Sequence, residues 1–188
     1  MPEQMQSVYP VGTARRLPRW RGEPPAAAGW YALYTRARHE KLVDQQLHER
    51  GIESFLPLQT ELSRGRNRWR WVSRPLFPGY LFVHVARAEL RPVGRLRGVV
   101  AVVGSAKRPA PVPADQLESV RRMVEPPVRA MPWPYIQSGR AVRVVVGPLA
   151  GLRGFIVEPK KTCRLVISVA LLGRSVAAEI DARCVAPV

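Results

Sequence analysis

Residues 75–85, with the sequence PLFPGYLFVHV, constrain the fold more than any other part of the chain. Pro75 and Pro78 each fix φ and lack a backbone donor, so the segment begins outside a regular hydrogen-bonded ladder. From Tyr80 onward the residues are aromatic or β-branched, which favours a strand. Side chains along a strand alternate between its two faces. The predicted faces are Tyr80, Phe82 and His84 on one side, and Leu81, Val83 and Val85 on the other.

The two faces of this strand predict different surroundings. The aliphatic face is typical of a protein core. The aromatic face is open to two interpretations: it covers a second layer of core, or it is a docking surface, since aromatic residues concentrate at interface hot spots.

Several segments resemble the NusG family of transcription elongation factors, in the form found in its RfaH-like paralogues. Residues 76–83 resemble the family signature, residues 29–34 its first strand, residues 98–104 its fourth strand and residues 142–154 a KOW motif. The resemblance implies an α+β fold, in which an antiparallel sheet flanked by helices is followed by a small SH3-like β-barrel.

The composition along the chain predicts four segments. Residues 1–28 are rich in Pro, Arg, Ala and Gly and read as a disordered basic tail. Residues 29–125 correspond to the NusG N-terminal-like domain. Residues 126–138, with Pro126-Pro127 and Pro132-Trp133-Pro134, have linker composition. Residues 139–188 contain short β-rich runs separated by Gly, Pro and basic residues, as expected for the KOW barrel.

The resemblance implies a polymerase-binding pocket on the N-terminal sheet. In the family this apolar pocket grips the clamp helices of the largest RNA polymerase subunit, which holds the clamp closed and suppresses pausing or termination. The matching positions are Tyr34, Phe77, Tyr80 and Phe82.

Two basic regions are candidate nucleic-acid contacts near the upstream edge of the transcription bubble. The first is the start of a predicted helix, where positive charge opposes the helix macrodipole; it comprises Arg36, Arg38 and Lys41. The second is the tip of a hairpin predicted over residues 52–72, with Arg64, Arg66, Arg68 and Arg70. Its interleaved Trp69 and Trp71 suit single-stranded nucleic acid through charge and stacking. An equally weighted alternative is a solvated hairpin whose tryptophans pack inward.

In the C-terminal domain the resemblance implies contact with the termination factor Rho or with a small-subunit ribosomal protein. The matching apolar positions are Leu152, Leu171 and Leu172, whose alternative role is barrel core. Leu152 lies in a Gly-rich turn, so we expect it to be exposed. A specialised paralogue has an acidic residue where this chain has Arg74, so the salt bridge that would hold a helical C-terminal form is not expected here. We therefore expect a barrel and an open pocket.

The charge supports a polyanionic partner. Lys and Arg total 30 against 14 Asp and Glu, a net charge of +16, which attracts phosphates. No apolar run approaches the roughly 20 residues of a spanning helix. The two cysteines, Cys163 and Cys184, have no zinc spacing and are interpreted as buried free thiols in a reducing cytosol, with a disulfide between them as the alternative. We expect a cytoplasmic monomer with no membrane association, no cofactor, no metal and no enzymatic activity. The alternative is a ribosome- or RNA-associated KOW protein without a polymerase role.

Overall fold

The structure is a computed structural model that describes residues 28–64, 68–105, 108–125, 128–136, 139–157 and 163–188. The predicted tail lies outside the described residues, except for Ala28, which begins the first strand. The N-terminal elements are β1 (Ala28–Thr35), α1 (Glu40–Glu49), β2 (Glu53–Phe55), β3 (Leu58–Arg64), β4 (Trp69–Pro75), β5 (Tyr80–Ala86), α2 (Leu90–Val93), β6 (Val99–Val102), β7 (Gly104–Ser105), β8 (Arg108–Pro109) and α3 (Ala114–Val124).

The first sheet has four strands in the order β2-β5-β1-β6 and is antiparallel throughout. The predicted strand from Tyr80 is confirmed as β5, and its two faces are the predicted ones. Its aliphatic face packs on α1 and α2 in one core cluster, which includes Leu33, Val43, Leu47, Leu81, Val83, Val85, Leu90 and Val93. This face is buried because both helices present apolar stripes to it.

The predicted hairpin exists, but its first strand is divided. Pro57 lies between β2, which pairs with β5 in the main sheet, and β3, which pairs only with β4. Proline lacks the N–H that a continuous strand requires. The carbonyl of Pro57 instead accepts the backbone N–H of Leu76 at 2.9 Å, which closes the base of the β3–β4 hairpin.

The C-terminal elements form a second antiparallel sheet with the order β14-β10-β11-β12-β13-β9. Its strands are β9 (Ala130–Trp133), β10 (Arg140–Val144), β11 (Arg153–Val157), β12 (Arg164–Val169), β13 (Arg174–Glu179) and β14 (Val185–Pro187). A Cβ on Gly154 would lie 2.6 Å from the carbonyl of Val166. Only glycine therefore permits this close approach of β11 to β12.

The predicted linker contains a strand. Ala130–Trp133 pairs with β13, in the register Ala130↔Ala178 to Trp133↔Ser175. Pro132 is compatible with this pairing because β9 is the last strand of the sheet, where one side of the backbone needs no partner. The C-terminal sheet thus begins earlier than residue 139, and the expectation that this whole stretch is linker is wrong.

Helix α3 joins the two sheets. Its buried residues Leu117, Val120 and Met123 belong to one core cluster that contains Phe77 and Phe82 as well as the interior of the C-terminal sheet, such as Leu165 and Val176. The predicted fold class is confirmed: an antiparallel sheet flanked by helices, followed by an SH3-like barrel. Among the described residues, no helix is long and apolar enough to cross a membrane.

The burial of Phe82 makes a stability prediction. Its ring is fully enclosed, so Phe82→Ala should leave a cavity and lower the free energy of unfolding by about 3–5 kcal/mol. Urea denaturation followed by circular dichroism measures this decrease. The matched control is Leu42→Ala, at an exposed position of α1, which should change stability by no more than about 0.5 kcal/mol. Equal urea midpoints for the two variants would show that Phe82 is not a core residue.

Candidate functional site

The second face of the N-terminal sheet carries aromatic pairs across neighbouring strands. The register of β1 and β5 places Trp30 opposite His84, Ala32 opposite Phe82, and Tyr34 opposite Tyr80. The rings of Trp30 and His84 stack with centroids 5.0 Å apart, and those of Tyr34 and Tyr80 tilt against each other at 5.3 Å. Such directly opposed pairs stabilise a sheet. We call these residues, with Phe55 of β2, the aromatic face.

The middle of the aromatic face is enclosed. Phe82 contacts Phe77 edge-to-face at 5.9 Å and stacks on Phe55 at 6.1 Å. Both Phe77 and Phe82 are fully buried, in a core cluster that they share with α3 and the C-terminal sheet. Arg121 of α3 places its guanidinium over the neighbouring rings of Trp30 and Phe55. The expectation of an open pocket is therefore wrong at these two positions. The alternative interpretation, a second layer of core, describes them.

One end of the aromatic face is open. The side chain of Tyr34 is 43% exposed and that of Tyr80 is half-buried. Both line an open cavity of about 940 Å³, together with basic residues from the start of α1 and from β4: Arg38, Lys41 and Arg74. This cavity brings two of the four predicted polymerase contacts beside two of the predicted nucleic-acid contacts.

Glu40 positions the turn beneath this end, a role that was not predicted from the sequence. Its side chain is buried, and Oε1 accepts the backbone N–H of Gly79 at 2.7 Å. Gly79 has φ +83°, and a Cβ there would lie 3.3 Å from the ring of Tyr34. Glycine is required because the left-handed conformation and the close ring both exclude a side chain. An acidic residue in the first turn of a helix was the available signal.

The basic residues at the start of α1 differ in their contacts. Arg36 and Arg38 are exposed, and Arg38 is the single non-glycine residue with positive φ, 64°, in the described part of the chain. Lys41 donates from Nζ to the carbonyl of Ser73 in β4 at 2.8 Å. Lys41 therefore ties α1 to the hairpin, while the two arginines remain available to an anionic partner.

The β3–β4 hairpin presents its tryptophans to solvent. Trp69 is 61% exposed and Trp71 is 54% exposed, so the alternative of inward-packed tryptophans is wrong. Arg64, Arg68 and Arg70 are exposed as well. Arg66 lies outside the described residues.

The predicted C-terminal contact residues are largely covered. Leu152 and Leu172 are buried, and Leu171 is half-buried. The turn that carries Leu152 is held by α3, because Nη2 of Arg122 donates to the carbonyls of Pro148 at 2.9 Å and Ala150 at 2.8 Å. The expected exposure of Leu152 is wrong, since its turn packs against the helix. Among the described residues, no group of His, Cys, Asp and Glu is arranged to hold a metal ion.

The buried carboxylate of Glu40 predicts a stability difference between two substitutions. Glu40→Ala leaves the Gly79 N–H without an acceptor and should cost about 1–3 kcal/mol in unfolding free energy. Glu40→Gln keeps an amide oxygen and should cost less. Urea denaturation measures both, with Glu49→Ala at the exposed end of α1 as control. If the Gly79 amide exchanges its hydrogen faster in Glu40→Ala but not in Glu40→Gln or Glu49→Ala, the loss of stability arises from the missing hydrogen bond to Gly79. Identical stabilities would contradict the assigned role.

The chain is similar in sequence to proteins of one known family. Residues 28–121 match the sequence profile of the family described as "Transcription termination factor nusG". The "Transcription termination/antitermination protein NusG" of Pseudomonas aeruginosa is 26% identical over 171 residues, covering 82% of this chain and 96% of the relative. The protein of the same name from Deinococcus radiodurans is 29% identical over 183 residues, covering 81% and 95%.

A solved structure described as "Domain interaction in Thermotoga maritima NusG" is similar in fold. It superposes with a TM-score of 0.53 at 19% identity and covers 86% of this chain and 97% of the solved one. The family profile spans the whole N-terminal sheet with α1 and most of α3, and the relatives extend across both sheets. The chain therefore belongs to the NusG family of transcription termination and antitermination proteins.

Proposed function

We propose that this protein binds RNA polymerase through the open end of the aromatic face and acts as an elongation and antitermination factor. The observation that carries the proposal is the exposed Tyr34, in ring contact with Tyr80 at the mouth of a cavity. Tyrosine is enriched among interface hot spots because it combines a large apolar surface with a polar tip. The fold already has a packed core beneath this pair, so the exposed rings are available for a partner.

The clamp helices of the largest polymerase subunit are the proposed partner. A helix laid in an apolar groove is a common recognition mode, and the NusG family membership supports it here. Tyr34 and Tyr80 make the direct contact in this proposal. Phe77 and Phe82 support them from below: the backbone N–H of Tyr80 donates to the carbonyl of Phe77 at 2.9 Å, and Phe82 follows Tyr80 on the same face of β5.

The proposed action requires no bond chemistry. A ligand that binds one conformation of a protein better than another shifts the population toward the preferred conformation. By binding the closed clamp more tightly than the open clamp, the protein would hold polymerase on its DNA and suppress pausing or termination.

The basic residues beside the tyrosines are the proposed nucleic-acid contacts. Arg38, Lys41 and Arg74 line the same cavity as Tyr34 and Tyr80. Polymerase bound at the tyrosines would bring the start of α1 and the β3–β4 hairpin close to DNA at the upstream edge of the bubble. The exposed hairpin arginines Arg64, Arg68 and Arg70 supply further positive charge there.

The C-terminal sheet is the proposed contact for Rho or a small-subunit ribosomal protein. Leu171 is accessible in part, whereas Leu152 and Leu172 are covered. A partner that uses Leu152 must first separate its turn from α3, against the two hydrogen bonds from Arg122. We infer that binding of such a partner competes with the packing of the C-terminal sheet on α3.

The polymerase proposal predicts weaker binding on changing the two tyrosines. Tyr34→Ala combined with Tyr80→Ala should weaken affinity for core RNA polymerase by about 2 kcal/mol or more, because hot-spot aromatics contribute on that scale. Interferometry with immobilised polymerase measures this affinity. Leu42→Ala, an exposed apolar residue of α1 on the opposite side of the sheet, is the control. Unchanged affinity with a native circular dichroism spectrum would refute the assignment, and capture of ribosomes without polymerase would favour the ribosome-associated alternative.

The nucleic-acid proposal predicts a smaller salt dependence in a charge variant. Arg64→Ala, Arg68→Ala and Arg70→Ala together should reduce the slope of log affinity against log salt, by about 0.7 for each phosphate of a single strand that the variant no longer neutralises. Arg91→Ala, Arg95→Ala and Arg97→Ala remove the same charge from exposed positions around α2 and serve as the control. If both triple variants shift the slope equally, the hairpin has no specific role.

A further inference from the structure

We propose that Trp69 and Trp71 form a stacking platform for the unpaired bases of a single nucleic-acid strand. The proposal rests on the nucleic-acid role proposed for the β3–β4 hairpin. It adds that the hairpin binds single strands in preference to duplex. The arginines can neutralise the phosphates of a single strand or of a duplex. The tryptophans can stack only on bases that are not already stacked between neighbouring bases.

The register of the hairpin places both tryptophans on one face. Trp71 lies opposite Leu62, and Trp69 lies opposite Arg64, and directly opposed residues of a ladder share a face. All three apolar side chains are exposed, with Leu62 at 49%. Strands β3 and β4 pair only with each other in the described part of the chain, so no other strand extends this small sheet.

The exposed tryptophans have no role in the cores that the structure describes. The two core clusters include residues of β1, β2, β5 and the helices, but neither Trp69, Trp71 nor Leu62. A contiguous exposed apolar patch on a folded protein marks an interaction surface.

The charges around the platform select a polyanion. The guanidinium of Arg64 lies over the ring of Trp69, 6.0 Å from its centroid, so positive charge stands beside the exposed rings. The nearby acid, Glu61, is paired with Arg74 at 2.8 Å. The platform therefore combines π-faces with positive charge, the pairing used by proteins that bind single strands.

The spacing of the two rings favours unpaired bases. Residues two apart in a strand are separated by roughly 6.6–6.8 Å, about twice the 3.4 Å rise per nucleotide of a duplex strand. In a duplex both faces of each base are covered by its neighbours, so neither ring can stack there. In an extended single strand, successive bases are free to lie on successive rings.

The test compares ring, apolar and charge variants of the full chain. Trp69→Leu with Trp71→Leu keeps apolar side chains but removes the π-faces; Trp69→Phe with Trp71→Phe keeps smaller rings. Fluorescence anisotropy with a labelled oligothymidylate, and with a duplex of equal phosphate number, measures affinity at several salt concentrations. We expect the Leu variant to bind the single strand about 25-fold more weakly, taking about fivefold per stacked base. Its duplex affinity and its salt slope should not change, and the Phe variant should recover part of the single-strand affinity.

The outcomes separate this inference from the proposed function. If the Leu variant keeps its single-strand affinity while the hairpin arginine variant loses salt dependence, the stacking platform is refuted and the nucleic-acid role stands. If neither the Leu variant nor the hairpin arginine variant changes the affinity for either oligonucleotide, the stacking platform and the nucleic-acid role of the hairpin are both refuted. If the Leu variant loses affinity for core polymerase but not for nucleic acid, the apolar face binds a protein, which also overturns the proposal.

Discussion

Packing on helix α3 is the interaction on which both sheets depend. Its apolar stripe, Leu117, Val120 and Met123, lies in a core that the two sheets share. Two consecutive arginines in its last turn then reach in different directions: Arg121 lies over aromatic rings of the first sheet, and Arg122 donates to carbonyls of a C-terminal turn. Positive charge at this end also complements the helix macrodipole. Helix α3 therefore contacts both sheets through its apolar stripe and its last two arginines.

The position of α3 decides which part of the aromatic face remains available. Arg121 of the helix covers Phe55, and Phe82 is buried in the core that the helix shares, while Tyr34 and Tyr80 line an open cavity. The same helix holds the turn that carries Leu152. A partner of the tyrosines thus meets a preformed surface, whereas a partner of Leu152 has to compete with an intramolecular contact. Preformed surfaces lose less ordering entropy on binding.

Periodicity along the chain was sufficient to predict β5 and its two faces, because alternation within one strand is a local property. Local signals mark one end of each of two helices: Gly51, with φ +67°, follows the last turn of α1, and Pro113 stands at the N-cap of α3. Periodicity identifies a face but not the element that covers it, so the burial of Phe77 and Phe82 in a core shared with α3 was not predictable in this way. The strand at Ala130–Trp133 was missed for a related reason. Proline content indicates a linker unless the strand is known to be an edge strand, and that depends on long-range pairing.

The candidate site shows the same difference between local signals, which the sequence carries, and long-range contacts, which it does not. Residue types and the family resemblance were sufficient to propose Tyr34, Tyr80 and the hairpin arginines as candidate contacts. Glu40 was missed because its role depends on a contact with Gly79, 39 residues away in the chain. The sequence left two alternatives for Trp69 and Trp71: exposed to solvent or packed inward. Alternation could not distinguish them, because a hairpin with one buried face and a hairpin with two exposed faces can have the same sequence pattern.

The hairpin shows how the fold supports an exposed apolar face. An isolated two-stranded ribbon is only marginally stable in water, so its base has to be anchored. The anchors lie outside the tryptophan face: Lys41 bonds the carbonyl of Ser73, and Leu76 bonds that of Pro57. Arg74 and Glu61 add an ion pair, but both are partly exposed, and such pairs contribute little. Because these backbone contacts hold the ribbon, Trp69 and Trp71 are not needed to anchor its base. The apolar exposure is then a property that folding does not require, and the proposed base-stacking role would account for both rings and for the arginine beside them.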